Sequence, residues 1–390
     1  MEPTKPKIEN DPEMEAQLSD EAKAQFPDQP ATDDIPEHVA QQSLPQTEQL
    51  ILPPKSNNKR NIIIALVIIL VAAAGSYFIS HSSKKSVATV TPKIAIKQPL
   101  VTTPAMPGLQ LDPAKNYGNK YANGLLPVGD GKYVSDVAKA GYVYTCSGYA
   151  SNLKTAQGGA GSRGPWFSSD NTQYDINKKL HVQGSVTWQG NLADKLAGTT
   201  RTITTNDLPN HATGTFPISA SDPAYAYDRN PNTITSQSLS YALSSGPSYG
   251  DSKCMGGEAG VMLTGVALFN AFDAGGRDAG AWEIQDSCGG HPQKSGEYHY
   301  HTLSSCIKDT NVKTVIGFAL DGFPITGPQV GANNILTTAD LDECHGLTSQ
   351  IVLDGKTVTS YHYVMTQDFP YSVSCFRATP VQPPNQPAGA

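Results

Sequence analysis

The sequence predicts a mainly β fold: an antiparallel, β-rich ectodomain with few short helices, behind one N-terminal transmembrane helix. Three observations predict it. Beyond residue 112, Gly, Ser, Thr, Tyr and Asn dominate, and apolar residues seldom recur at helical spacing. Short alternating or β-branched runs there are separated by turn dipeptides such as D-P, N-P, D-G and G-G. Ahead of that region the eighteen uncharged residues Ile62–Ile79 would span about 27 Å as a helix, close to a bilayer core.

Residues 1–60 hold twelve acids, six bases and one aromatic, Phe26. Such a segment buries too little apolar area to offset chain entropy, so it reads as a disordered acidic tail. It carries nearly all of the formal net charge of −7. The rest is close to neutral, which argues against nucleic acid as a partner. Residues 61–80 read as a retained membrane anchor, because signal peptides begin near the N-terminus and a long polar stretch precedes this run. Lys55, Lys59 and Arg60 before it balance Lys84 and Lys85 after it, so charge leaves the orientation open. All six cysteines follow the span, which suits an oxidising compartment. The expectation is a single-pass cell-membrane protein with a cytoplasmic N-terminus and an extracytoplasmic body, its extracellular or periplasmic ligand unknown.

Residues 81–111 are rich in Thr and Pro and read as a semi-extended spacer. Strands are expected in Tyr142–Cys146, His181–Trp188, Arg201–Thr205, Gly260–Phe269, Val312–Leu320, Gln350–Leu353 and Ser360–Met365. A short helix is expected near Thr338–Leu341, where a threonine cap precedes acids. These divide into a β-rich N-terminal part (112–199), a domain at 200–380 and a disordered tail at 381–390.

The chemistry concentrates in Asp286–Cys306, which holds three of the nine histidines and the run Tyr298-His299-Tyr300-His301. On a strand, alternate side chains share a face, so His299 and His301 lie together, about 7 Å apart at the backbone, and can converge on one metal ion. His291 follows two glycines and can close onto that ion from a loop. A weaker echo follows. Asp286-x-Cys288-x-Gly290 is matched by Asp342-x-Cys344-x-Gly346, Tyr298-His299-Tyr300 by Tyr361-His362-Tyr363, and Cys306 by Cys375. The echo makes His362 the counterpart of His299, with Val364 where a second histidine would stand. Two units facing a common site would offer His299, His301 and His362, with a fourth position open as in reactive metal centres. Among fifteen connectivities the echo favours Cys288–Cys306 and Cys344–Cys375, leaving Cys146–Cys254. Asp286 or Asp321 is placed to orient an imidazole.

These residues resemble the YHYH-domain family. The resemblance runs over roughly Arg201–Arg377, through T-I-T-T-N-D-L-P-N-H-A-T-G (202–214), D-S-C-G-G-H-P (286–292), G-E-Y-H-Y-H (296–301), G-F-A-L-D-G-F-P-I-T-G-P (317–328) and L-D-E-C-H-G (341–346). It implies a secreted or membrane-anchored module with histidine-based metal binding, and it adds His211 as a further candidate ligand. Family members often carry Tyr at the position of Thr326 and a second full Tyr-His-Tyr-His where this chain has Val364.

Other chemistry finds little footing. Phe272–Glu283 lacks the spacing of a calcium loop, and Gly158–Gly164 lacks the context of a phosphate loop. No Gly-x-Ser-x-Gly elbow occurs, and catalytic residues are not assignable. The expected function is transition-metal binding, with copper or zinc as the ion. The alternative is a disulfide-stapled adhesion or interaction module presenting the Tyr-His face as a contact patch.

Overall fold

A computed structural model of the chain describes residues 106–155 and 161–385. They belong to one compact unit, Pro99–Ala390. The expected acidic tail, the span at 61–80 and most of the spacer lie outside the described residues, among which no helix is long and apolar enough to cross a membrane.

The described residues are mainly β, with antiparallel sheets and few helices. One sheet is a three-stranded meander of β1 (Leu192–Ala197), β2 (Thr200–Thr205) and β3 (Leu239–Ser244), antiparallel throughout. β3 alternates buried and exposed residues, the pattern of a strand with one wet face.

The main sheet has eight strands: β4 (Glu258–Met262), β5 (Ala267–Phe269), β6 (Gly290–Pro292), β7 (Tyr298–Tyr300), β8 (Val315–Ala319), β9 (Pro324–Thr326), β10 (Gly346–Leu353) and β11 (Lys356–Val364). Their spatial order is β6-β7-β5-β4-β8-β9-β11-β10. Most are short and buried on both faces, which is why period-2 alternation is faint in their sequence. The run Gly260–Phe269, expected as one strand, is the hairpin β4–β5, turning at Gly265 with φ of 98°. The hairpin β10–β11 turns at Asp354-Gly355, both at positive φ, as a two-residue turn between right-twisted strands requires.

The sheet order reads the same from either edge. β4 and β8 pair antiparallel at the centre, with Val261 opposite Phe318. Each then continues as a hairpin (β4–β5, β8–β9) whose second strand runs parallel to a Tyr-His-Tyr strand (β7, β11). Each outer strand (β6, β10) pairs antiparallel with that one. The echo in the sequence is therefore the visible part of a four-strand duplication.

The shared chemistry explains the D-x-C-x-G motif. Asp286 Oδ1 accepts from the N–H groups of Cys288 and Gly290, and Tyr298 Oη donates to Oδ2 at 2.8 Å. Asp342 Oδ1 accepts from Cys344 and Gly346, and Tyr361 Oη donates to Oδ2 at 3.1 Å. A Cβ at Gly290 or Gly346 would strike the tyrosine that crosses it, so both positions need glycine. The three disulfides are Cys146–Cys254, Cys288–Cys306 and Cys344–Cys375.

Of the helices, α1 (Ser147–Thr155) and α2 (Ala279–Trp282) have no clear periodic signal in sequence. The expected helix near Thr338 is a 3-10 turn, Thr338–Asp340, closed by a capping box between Thr337 and Asp340. Residues of the spacer's end join the fold, since the N–H of Thr348 on β10 donates to Leu109 O and its carbonyl accepts from Leu111 N.

Candidate metal centre

Three segments of the first repeat build the site. β6 and β7 pair with His291 directly opposite His299, so both point to one face of the sheet. His301 lies two residues beyond His299 and follows the same face. The third segment is α2, whose first turn is capped by the Asp278 side chain accepting from Ala281 N. Its C-cap residue, Glu283, turns extended and aims its carboxylate at the imidazoles.

The ligand atoms of His291, His299 and His301 lie within 4.8 Å of one another. His299 Nε2 is 3.1 Å from His301 Nε2, and Glu283 Oε2 is 3.2 Å from His291 Nε2 and 3.3 Å from His301 Nε2. Bonds of 2.0–2.1 Å in a tetrahedral site place neighbouring ligand atoms about 3.3 Å apart. Three edges of the cluster match that spacing. The four side chains are almost fully buried, at 3–7% exposure.

Backbone carbonyls orient two of the rings. His301 Nδ1 meets Asn270 O at 2.5 Å and His299 Nδ1 meets Glu297 O at 3.2 Å. With Nδ1–H donating in each, the Nε2 lone pairs turn toward one another, the arrangement that ligating histidines adopt. Phe269 stacks on His299 with ring centroids 4.2 Å apart. Both nitrogens of His291, and Glu283 Oε2, are buried without an aligned hydrogen-bond partner. Lone pairs and orphaned polar atoms turned inward are costly in a protein interior unless a cation joins them. The residues present fit a metal ion.

Electrostatics agree. Burial drives His301 down to about 4 and holds His299 well below its ordinary value, so both are in the neutral, ligating form at pH 7. Burial alone would raise Glu283, yet His291, then His301 and His299, hold it down at about 2. Burial lowers His291 too, but the Glu283 carboxylate outweighs it and leaves this imidazole raised.

The remaining candidates go elsewhere. His362 is buried in the second repeat, where Thr326 Oγ1 and Ser349 Oγ each hydrogen-bond one of its nitrogens at 2.9 Å. β7 and β11 are five strand spacings apart, roughly 24 Å. The expected composite site is therefore not formed: the duplication joins through β4 and β8, which sends the two Tyr-His-Tyr strands toward opposite edges. His211 bonds Tyr300 Oη and Ala212 O on the tyrosine face of β7, away from the triad. It also approaches Cys288 and Cys306, whose sulfurs are joined in a disulfide. Asp286 and Asp321 serve backbone N–H groups and tyrosines and touch no imidazole of the triad. The Tyr-His face is buried and presents no contact patch, since Tyr298 and Tyr300 are 0% exposed.

Glu283 was not among the sequence candidates. The signal that could find it is the duplicate. Leu341, like Glu283, is the C-cap of a short helical turn. Leu347 pairs with His362 as His291 pairs with His299, and Val364 stands at the position of His301. Leu341, Leu347 and Val364 pack in one apolar cluster with Val312 and Leu336. The second repeat has the same pocket filled with hydrocarbon.

Residues 240–335 match the family model described as YHYH protein. This stretch is a YHYH domain. The match takes in the metal-centre segments of the first repeat and the β8–β9 hairpin, and it ends before Tyr361-His362-Tyr363. No curated protein and no solved structure matches the chain. In the YHYH domain the motif's two tyrosines serve the fold and its histidines line the candidate centre.

Two buried histidines of the second repeat make folding sensitive to acid. Burial lowers His362 to about 4 and His345 to about 3. Below about pH 6.5 the unfolded chain binds protons that the folded chain refuses. The contribution of these two histidines is thus full above pH 6.5 and is lost as the pH falls toward 4 and then 3, by up to about 1.4 kcal/mol per pH unit for each. Thermal unfolding of metal-free protein between pH 7 and 4 reads the sum of this histidine loss and the opposite contribution of buried Asp207 and Glu258, which burial raises to about 9 and about 8. His345→Asn, which tolerates the φ of 72° at that position, is expected to gain stability relative to wild type as the pH falls from 7 to 4; an unchanged difference across that range would remove His345 from the account.

Proposed function

We propose that the chain is a membrane-tethered, extracytoplasmic protein whose YHYH domain holds one transition-metal ion, copper or zinc, through His291, His299, His301 and Glu283. One observation carries the reading: three imidazole nitrogens and a carboxylate oxygen converge in a buried pocket at ligand spacing. Three imidazoles with one carboxylate suit borderline ions. The three disulfides support an oxidising compartment, and the uncharged run at 61–80 supports the tether. No partner in nucleic acid is implied.

Glu283 takes the corner that the sequence left open, so the set has four protein donors, the number typical of ions held for structure. When bound, the ion supplies positive charge that Glu283 and the inward lone pairs would otherwise lack. His301 and His299 are held in register by their backbone carbonyl partners, and the packed Phe269 ring keeps water from His299.

Metal analysis of the purified chain tests this. Wild type is expected to retain about one ion per chain, and a His299→Ala/His301→Ala variant roughly a tenth of that or less, since half of a four-donor set is gone. Equal metal in both proteins would leave the cluster as a set of internal hydrogen bonds and end the reading.

A further inference from the structure

A cavity of about 640 Å³ lies beside the metal-centre segments, and none of the triad lines it. Its floor is polar and buried: Lys179, Gln285, Ser304 and Thr366, with the ring of Tyr174. Its rim, at Ala122, Ile176 and Gln367, is exposed. That volume is in the range of small-molecule sites.

The charge pattern is one-sided. Among the described residues no Asp, Glu or Arg lines the cavity, Lys179 is the single lysine there, and His181 is the single imidazole. The Lys179 ammonium donates to Gly280 O and Gln285 Oε1, both at 2.6 Å, which leaves one of its three protons without an acceptor among the described residues. No carboxylate hydrogen-bonds to it; Asp278, Glu283 and Asp228 act on it only through space. Burial pushes the amine down to about 8, and it stays mostly protonated at neutral pH. A buried ammonium with a spare donor favours an anion. Around it the lining offers neutral hydroxyls and amides, including Ser304, Thr302, Asn119 and Asn177, which suit a body with several hydroxyl groups.

We propose that this cavity is a binding site for a sugar acid, with the ligand's carboxylate on Lys179 and its hydroxyls on the neutral polar walls. The triad and Glu283 do not line this cavity, and Glu283 reaches Lys179 only through space.

Titration calorimetry on the full chain tests it, with D-glucuronate as the probe and D-glucose and acetate as controls. Glucuronate is expected to bind one per chain, and each control at least about tenfold more weakly, because each offers half of the matching chemistry. Lys179→Met is expected to weaken glucuronate by at least about tenfold with the metal content unchanged. Ala122→Trp, a rim change that leaves the floor's hydrogen bonds in place, is expected to close the mouth and abolish glucuronate binding with no change in Tm. Failure of glucuronate to bind wild type, equal binding of glucose or acetate, or wild-type affinity in either variant overturns the proposal.

Discussion

A chain carrying Glu283→Leu, His291→Leu and His301→Val is expected to fold, to bind no metal and to unfold no lower than metal-free wild type. These three residues are what the second repeat places at the corresponding positions, Leu341, Leu347 and Val364, and there they form a buried apolar cluster. The retained His299 would stand where His362 stands. In the wild-type pocket without metal, a carboxylate and three imidazoles share a desolvated space with several polar atoms unpaired. Exchanging such a group for hydrocarbon of similar volume is often neutral or stabilising, by about 1–4 kcal/mol. Calorimetry in the presence of a chelator, paired with metal analysis, gives both readouts. A loss of more than about 2 kcal/mol, on the scale of strain from core overpacking, would show that the two pockets do not correspond.

Removal of the Cys146–Cys254 disulfide by a double Ala substitution is expected to cost about 5 kcal/mol, more than loss of either other bridge. It closes a separation of 108 residues, against 31 for Cys344–Cys375 and 18 for Cys288–Cys306. In the chain-entropy account these correspond to about 4 and 3 kcal/mol. The three loops follow one another along the chain without nesting, so each constrains its own stretch of the unfolded chain. Against a typical total of about 5–15 kcal/mol, the first removal leaves little margin. Urea unfolding of the three variants gives the ranking. If the shortest loop proved the most costly, packing around Cys288 would be the source of the stabilisation rather than chain entropy.

Much of the fold and part of the site were legible. Period 2 puts His299 and His301 on one face whatever the surroundings, and the glycines before His291 left it free to pair opposite. The disulfide pairs followed from the echo because a repeated unit repeats its local closure. Glu283 was hidden because its role depends on a tertiary approach, and its own stretch, rich in Gly and Asp, read only as an ill-fitting calcium loop. The composite site was expected because the echo was read too short. The hairpins ahead of each motif also match, as Gly260-Val-Met-Leu-Thr-Gly265 against Gly317-Phe-Ala-Leu-Asp-Gly322. They carry the central pairing of β4 with β8, and that pairing sets the Tyr-His-Tyr strands apart. Without it, nothing in residue spacing says whether two like units face each other or stand back to back.

The central pairing also supplies what a single repeat would lack. A single unit of four strands would end at β4 with a row of unpaired backbone N–H and C=O groups, an open edge that seeks a partner. The antiparallel register about Val261 and Phe318 is the one that two identical units would adopt around a two-fold axis. The two halves of the sheet are thus related within one chain as the copies of a two-fold dimer would be. The two pockets differ in what they hold: one is lined by three imidazoles and a carboxylate, and the other is ordinary apolar core.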